Sequence, residues 1–326
     1  MGAADAVPGV SGGTVALILG IYDRFVESLH TMIKLPALMG QKAGRAKLTA
    51  ALRFLMPLGL GVATSYFVAT RLLVGPSDNP NGWLRNADTA PLCYALFFGL
   101  VLASIYEPYR RITNHGAKTW LALSAGAAFA FIFTGLPYVK SEPETWMLLP
   151  GGAMAISVML LPGISGSLLL LILNQYTAVA KALHDRDFAR FGVFLLGLLT
   201  GIALFVPILR WLLRHYHDLT MGFLTGLMVG SLRALWPWKS QYDPKVGFME
   251  NVAPFGSLPT AFAFAALGVV LILVMGSVER RSKHDFSSSP KAPAPLRTPP
   301  RRCLPVGQSH HRARRRSSHP REHRHL

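Results

Sequence analysis

Apolar residues along this chain gather into six blocks, at about 54–74, 92–107, 119–137, 192–213, 219–236 and 259–278. Each predicts a helix that crosses the ~30 Å hydrocarbon core of a bilayer. Two further apolar runs, Val15–Ile21 and Leu168–Leu173, are much shorter. As helices they rise only ~10 Å, too little to cross. The pattern predicts an all-α, polytopic membrane protein in which two helices are broken.

The short runs are headed by two copies of one motif. PGVSGGT at 8–14 returns 154 positions later as PGISGSL at 162–168, and Tyr22 and Tyr176 fall at the same offset. Three of the six blocks follow each copy. FGLVLAS at 98–104 is echoed by TGLMVGS at 225–231, which argues for an internal duplication. The expected divisions are a first membrane repeat over 1–145, a second over 146–278, and a basic, disordered tail over 279–326. Short, Gly/Pro-interrupted segments at matching places in two halves mark the binding site of many carriers.

Residues 146–176 as one straight helix would measure ~46 Å. Pro162, Gly163 and Gly166 break that stretch in the middle, so a re-entrant hairpin is expected. One hairpin plus three crossings per repeat makes the second repeat enter from the opposite face. Charge bias agrees. Loops 23–53, 107–118 and 210–218 and the tail hold 6, 3, 2 and 13 Lys/Arg; loops 75–91, 138–146, 177–191 and 233–258 hold 1, 1, 3 and 3. The positive-inside rule makes the first set and the C-terminal tail cytoplasmic. The first motif has only seven residues before it, so a leading arm like Trp146–Leu161 is missing there; a misplaced start or a truncation is expected.

Composition narrows the function classes. The chain is 51% hydrophobic and 15% charged, against ~25% charged in soluble domains, and mean hydropathy is +0.35. Of the net charge of +17, the tail supplies +10. A basic tail of this kind can attract phosphates nonspecifically, but it lies beyond the last crossing, and no nucleic-acid partner is expected. Cys93 and Cys303 stand far apart and predict neither disulfide nor metal site; no metal and no cofactor is expected.

The motif's chemistry suits an anion. Glycines admit a ligand close to the backbone, and the free N–H groups opening a helix favour negative charge. Pro8, Gly9, Ser11, Gly12, Gly13 and Thr14, with Pro162, Gly163, Ser165, Gly166 and Ser167, are therefore the candidate binding residues. Two such ends from opposite faces would meet near the midplane around one phosphate or carboxylate. The alternative is that the small residues only permit close helix packing, which is the reading taken for Gly197/Gly201, Gly222/Gly226 and Gly226/Gly230. Residues 9–13 also match the G-x-S-x-G elbow of serine hydrolases, but no strand precedes Ser11 and the second copy reads G-x-S-x-S. Asp5 is the candidate coupling residue, because an ionisable group at membrane depth is functional by default. Arg24 can pair with a phosphate or with Asp23. Arg53, Arg71, Arg210 and Arg214 flank crossings as interfacial anchors, and Arg110 and Arg111, beside Tyr106 and Tyr109, can hold membrane lipid headgroups.

The stretches GAADAVPGVSGGTVALILGIYDRF at 2–25 and MLLPGISGSLLLLILNQY at 159–176 resemble the bacterial PopT family, over roughly residues 2–278. The resemblance implies a multi-pass carrier of the cytoplasmic membrane that returns undecaprenyl phosphate, a polyprenyl-phosphate lipid, from the outer to the inner leaflet for cell-envelope synthesis. It places Asp5 and both sets of motif residues at the family's matched positions. Coupling to an ion, proton or sodium, would use Asp5. The rival is an enzyme, because membrane polyprenyl-pyrophosphate phosphatases carry a similar PGxSRS motif. Gly12 and Gly166 stand where those enzymes have arginine, and no acidic pair sits inside an apolar segment. Hydrolysis needs such groups, so a carrier is expected rather than an enzyme.

Overall fold

The computed structural model describes residues 1–7, 10–35, 42–73, 75, 82–139, 141–242 and 249–288. Met1–Lys283 form one compact unit; of a second, His284–Leu326, only residues through Ser288 are described. Pro8, Gly9 and residues 289–326 lie outside the described residues. The last helix runs to Ser288, into the stretch expected as a tail from 279.

Among the described residues the regular elements are helical. The first half comprises α1 (Gly2–Asp5), α2 (Gly12–Ile18), α3 (Tyr22–Ile33), α4 (Lys42–Leu73), α5 (Ala90–Ser104), α6 (Tyr106–Tyr109) and α7 (Ala117–Phe133). The second comprises α8 (Leu148–Leu160), α9 (Gly166–Ile172), α10 (Tyr176–His184), α11 (Phe188–His215), α12 (His217–Ser231) and α13 (Leu258–Ser288). Four stretches are long and apolar enough to cross a membrane: Gly44–Leu73, Ala90–Tyr109, Phe188–His215 and Leu258–Ser277. The six apolar blocks each hold a helix, but α7 and α12, with 17 and 15 residues, are shorter than a full crossing.

The two motif copies adopt the same local structure. Helices α2 and α9 have identical lengths at the 154-residue offset. Each ends in a residue with positive φ at that same offset, Gly20 at +64° and Asn174 at +55°. Between α9 and α10 the chain bends by 101°. An apolar run of seven residues thus ends because a left-handed residue turns it, the conformation that Gly and Asn reach most readily.

Close seams hold the helices together. The most extensive pairs are α7 with α12 and α8 with α11. Gly226 of α12 lies directly against the Leu123 carbonyl of α7, and Gly197 and Gly201 of α11 lie against the Leu149 and Ala153 carbonyls of α8. This is the packing role expected of these glycines. The largest buried cluster joins Leu17 and Tyr22 of the first copy to Leu160 and Ile164 of the second and to Leu227 and Met228 of α12. By contrast α4 contacts mainly α1 and α3, and no atom lies within 4 Å of a Cβ added at Gly59 or Gly61.

The seams predict a sharp contrast. Gly226→Ala forces α7 and α12 apart and should cost ~1–3 kcal/mol, read as a lower melting temperature in detergent. Gly59→Ala should be neutral or stabilising by up to ~1 kcal/mol, since alanine is the better helix former. Equal melting temperatures for the two variants would remove the α7–α12 seam as a tight contact.

Candidate functional site

Breaking a helix inside a membrane leaves backbone groups without partners. The break after α8 exposes the carbonyls of Met159, Leu160 and Leu161 and the N–H of Gly163, whose φ is +93°. The first motif supplies partners for these groups. Ser11 Oγ lies 3.1 Å from the carbonyl oxygens of both Met159 and Leu161, and Tyr22 donates its hydroxyl to the Leu160 carbonyl at 3.1 Å. Gly163 donates its N–H to Thr14 Oγ1 at 3.0 Å. Ser11 Oγ also accepts the Gly13 N–H, capping α2. Ser11, Gly12, Gly13 and Thr14 are all buried. Asp5, likewise buried, accepts the Gly12 N–H at 2.7 Å, so a carboxylate of the protein itself occupies the opening of α2.

The second copy is arranged differently. Ser165 makes no side-chain cap to α9; its hydroxyl pairs with that of Ser167 at 2.7 Å. Both serines face cavities. One cavity, of about 320 Å³, is the more polar: Arg85, Tyr94, Tyr138, Asn174 and Tyr242 line it together with Asp5 and Ser167. Another, of about 390 Å³, is largely apolar, formed by Val62 and Ala63 of α4, Ile156 and Met159 of α8, and Leu198 of α11 beside Ser165, Gly166 and Ser167. Asp5, Tyr66, Ser167 and Tyr176 line both, so the two adjoin at that neck. Volumes of this size match those of small-molecule sites.

Of the residues expected from sequence, Asp5, Ser165, Gly166 and Ser167 line this cavity system, and Ser11, Gly12, Gly13 and Thr14 stand behind it as its support. Pro162 and Gly163 are buried, with Gly163 against the Met228 backbone of α12. Arg24 lies elsewhere. It stacks on the Phe54 ring at 4.5 Å and borders a separate pocket with Asp23, Glu27, Arg210 and Arg214. There Glu27 receives Arg210 at 2.9 Å and Arg214 at 3.1 Å, and the Arg210 hydrogen bond holds the Glu27 carboxyl below its usual range. Arg210 and Arg214 are therefore ion-paired anchors. Arg111 bridges Asp23 and Glu107.

Sequence reasoning did not find the cavity's cation and aromatic wall. Arg85 comes from the turn before α5, Tyr94 from α5, and Tyr138 and Tyr242 from loops far apart in the chain. One signal was available: Arg85 is the sole Lys/Arg in loop 75–91. Among the described residues no group of His, Cys, Asp and Glu is arranged to hold a metal ion. One cation, several hydroxyl donors and an adjoining apolar space can hold an anionic headgroup with its hydrocarbon attached. In such a setting charged hydrogen bonds contribute roughly 1.5–3 kcal/mol each.

Over most of its length the chain is similar to proteins named as transporters. The profile of a family described as undecaprenyl phosphate translocase-like matches residues 1–249. A protein of Vibrio cholerae serotype O1 named polyprenyl-phosphate transporter is 38% identical over 265 residues, covering 78% of this chain and 83% of that protein. A Staphylococcus aureus protein of the same name is 30% identical over 256 residues, covering 73% and 83%. No solved structure matches significantly.

The division of labour between the copies is testable by substitution. Ser11→Ala and Thr14→Ala each strand a buried backbone group and should lower stability by ~1–3 kcal/mol. Ser167→Ala should leave the melting temperature unchanged while weakening ligand binding. A Ser11→Ala protein as stable as the wild type would refute the support role.

Proposed function

The chain belongs to the undecaprenyl phosphate translocase-like family, and from that premise we propose that it carries a polyprenyl phosphate across the bacterial cytoplasmic membrane, from outer to inner leaflet, recycling the lipid for envelope synthesis. One observation carries the reading: a polar cavity with Arg85 adjoins an apolar one through Asp5, Tyr66, Ser167 and Tyr176. A phosphate headgroup suits the first and the proximal part of an isoprenoid suits the second. Unaided, the headgroup's charge makes crossing hydrocarbon slow. The family is one of translocases and both curated relatives are named transporters, which supports a carrier over a phosphatase.

In this reading each motif copy is the turn of a re-entrant hairpin, followed by three crossings in each of two inverted repeats, 1–145 and 146–278. Repeated helices at a fixed offset support it. Ser165, Gly166 and Ser167 bind the phosphate directly, with Pro162 and Gly163 fixing their turn. The first copy, Pro8, Gly9, Ser11, Gly12, Gly13 and Thr14, holds that turn in place. Arg24, with Arg210 and Arg214, belongs to the face rich in Lys/Arg, where the headgroup leaves. Arg85, Tyr138 and Tyr242 come from the loops poor in Lys/Arg, so the polar cavity opens outward and the C-terminal tail is cytoplasmic. Asp5, beside an arriving anion, is the site of the coupling proton, because two adjacent negative charges favour protonating one of them.

Reconstitution tests this reading. Liposomes containing the wild type should move fluorescent undecaprenyl phosphate between leaflets without releasing inorganic phosphate; phosphate release would establish the enzyme instead. Arg85→Gln should slow movement at least ~10-fold, the equivalent of one charged hydrogen bond, and an undiminished rate would remove Arg85 from the site. Asp5→Asn keeps an acceptor for the Gly12 N–H and should abolish the response of the rate to an imposed pH gradient. A persisting response would assign coupling elsewhere.

A further inference from the structure

Lys239 is buried to 4% exposure, although charged side chains are rarely buried so deeply without a partner of opposite sign. Its surroundings are built with care. Residues 236–240 and 250–252 run antiparallel, with a bridge between Lys239 and Asn251, and Ser240 N–H and Val252 N–H donate to the Glu250 and Trp238 carbonyls at 2.8 and 3.0 Å. Trp236 and Trp238 pin this hairpin through indole N–H bonds to the Val252 and Phe255 carbonyls. The Lys239 ammonium donates to Asn251 Oδ1 at 3.0 Å and sits 5.2 Å from the centre of the Tyr94 ring. Both partners are neutral. Among the described residues no carboxylate lies within ion-pair distance of it.

A cavity of about 290 Å³ opens beside this ammonium, lined by Lys239, Arg233, Thr134 and Asn251 together with Met249 and Glu250. Arg233 is held in place by its bond to the Phe131 carbonyl at 3.0 Å and by stacking on the Phe131 ring, so its guanidinium does not fold away. The cavity backs onto the wall of the polar chamber. Tyr94 and Tyr242, 5.9 Å apart and both lining that chamber, meet Lys239 through the ring contact and through its backbone N–H. Tyr94 also donates to Met249, which lines the same cavity.

We propose that the cavity between Lys239 and Arg233 is a second anion site, which takes the phosphate monoester of the lipid before it passes the Tyr94–Tyr242 wall into the Arg85 chamber. This rests on the carrier reading above and adds a docking station to it. The chemistry is that of a phosphate monoester: one compact ammonium and one planar guanidinium supply the charged donors such a group accepts. The tightly held amide of Asn251, bonded to the Arg233 carbonyl at 2.8 Å, fixes the distance between the cations. Burial pushes the Lys239 ammonium down to about 8, with the Arg233 charge acting in the same sense. A bound phosphate would oppose both effects.

Titration of the purified full chain with a short-chain prenyl monophosphate tests the proposal, with the corresponding prenyl alcohol and inorganic phosphate as controls. The wild type should bind the prenyl monophosphate at two sites. Lys239→Gln, which keeps a polar partner for Asn251, should weaken one of them at least 10-fold and leave the other, whereas Arg85→Gln should do the reverse. Lys239→Arg keeps the charge and should retain both. At the Lys239 site binding should weaken from pH 7 to pH 9 as the ammonium deprotonates in the presence of its facing groups Arg233, Glu250, Tyr94 and Tyr242; Lys239→Arg should lose that dependence. A single site, abolished by Arg85→Gln and untouched by Lys239→Gln, overturns the inference and leaves the carrier reading standing. No binding by the wild type sinks the carrier reading itself. Inorganic phosphate binding as tightly as the prenyl monophosphate at the Lys239 site would make it a site for free phosphate, and the docking role would fall.

Discussion

A broken helix in a bilayer has no water to satisfy its freed backbone groups, and each group left bare costs several kcal/mol. The chain between Leu160 and Gly163 is a break between two apolar helices, buried in the protein where water cannot satisfy it, and the rest of the site depends on how it is satisfied. Ser11, Thr14 and Tyr22 of the first motif bond to the carbonyls and N–H that the break exposes. The two halves of the chain are therefore locked together at the point where irregular backbone is needed. A turn so held can carry Ser165 and Ser167 in a fixed position beside an open cavity.

Duplicated motifs need not do duplicate work. In the first copy the hydroxyls point into protein and the opening of the helix is occupied by Asp5. In the second, the serine hydroxyls pair only with each other and face the cavities. Tyr22 and Tyr176 divide in the same way: one is sealed in the core, the other lies at the neck between the polar and apolar spaces. One copy is buried structure and the other lines open cavities. A sequence with the same residues at the same spacing cannot announce that split, because it follows from which copy packs against the other's break.

Charge is distributed to match a ligand that must be held and then released. Lys239 lies against an aromatic ring and an amide, and among the described residues no carboxylate is within ion-pair distance of it, so an incoming phosphate finds a cation whose charge is only partly offset. Arg210 and Arg214 are already paired with Glu27, and exposed pairs of this kind are weak, so an anion arriving there competes with a carboxylate instead of entering a deep well. Gly12 and Gly166 keep the turns small and uncharged.

Much was legible in the sequence. The apolar blocks, the break at Pro162–Gly166 and the 154-residue repeat follow from local chemistry: helix length, the missing N–H of proline, the freedom of glycine. Asp5, Ser165 and Ser167, which line the cavities, stand out in the sequence because they sit inside or next to the motif. Other features were decided only by tertiary structure. The tyrosine wall and Arg85 come from four segments that share no spacing, and only the folding of α5 and two loops over α9 brings them together. The pairing of Arg210 and Arg214 with Glu27 depends on α3 lying against α11. A motif records what a backbone needs at one place; which distant side chains meet there is set by packing.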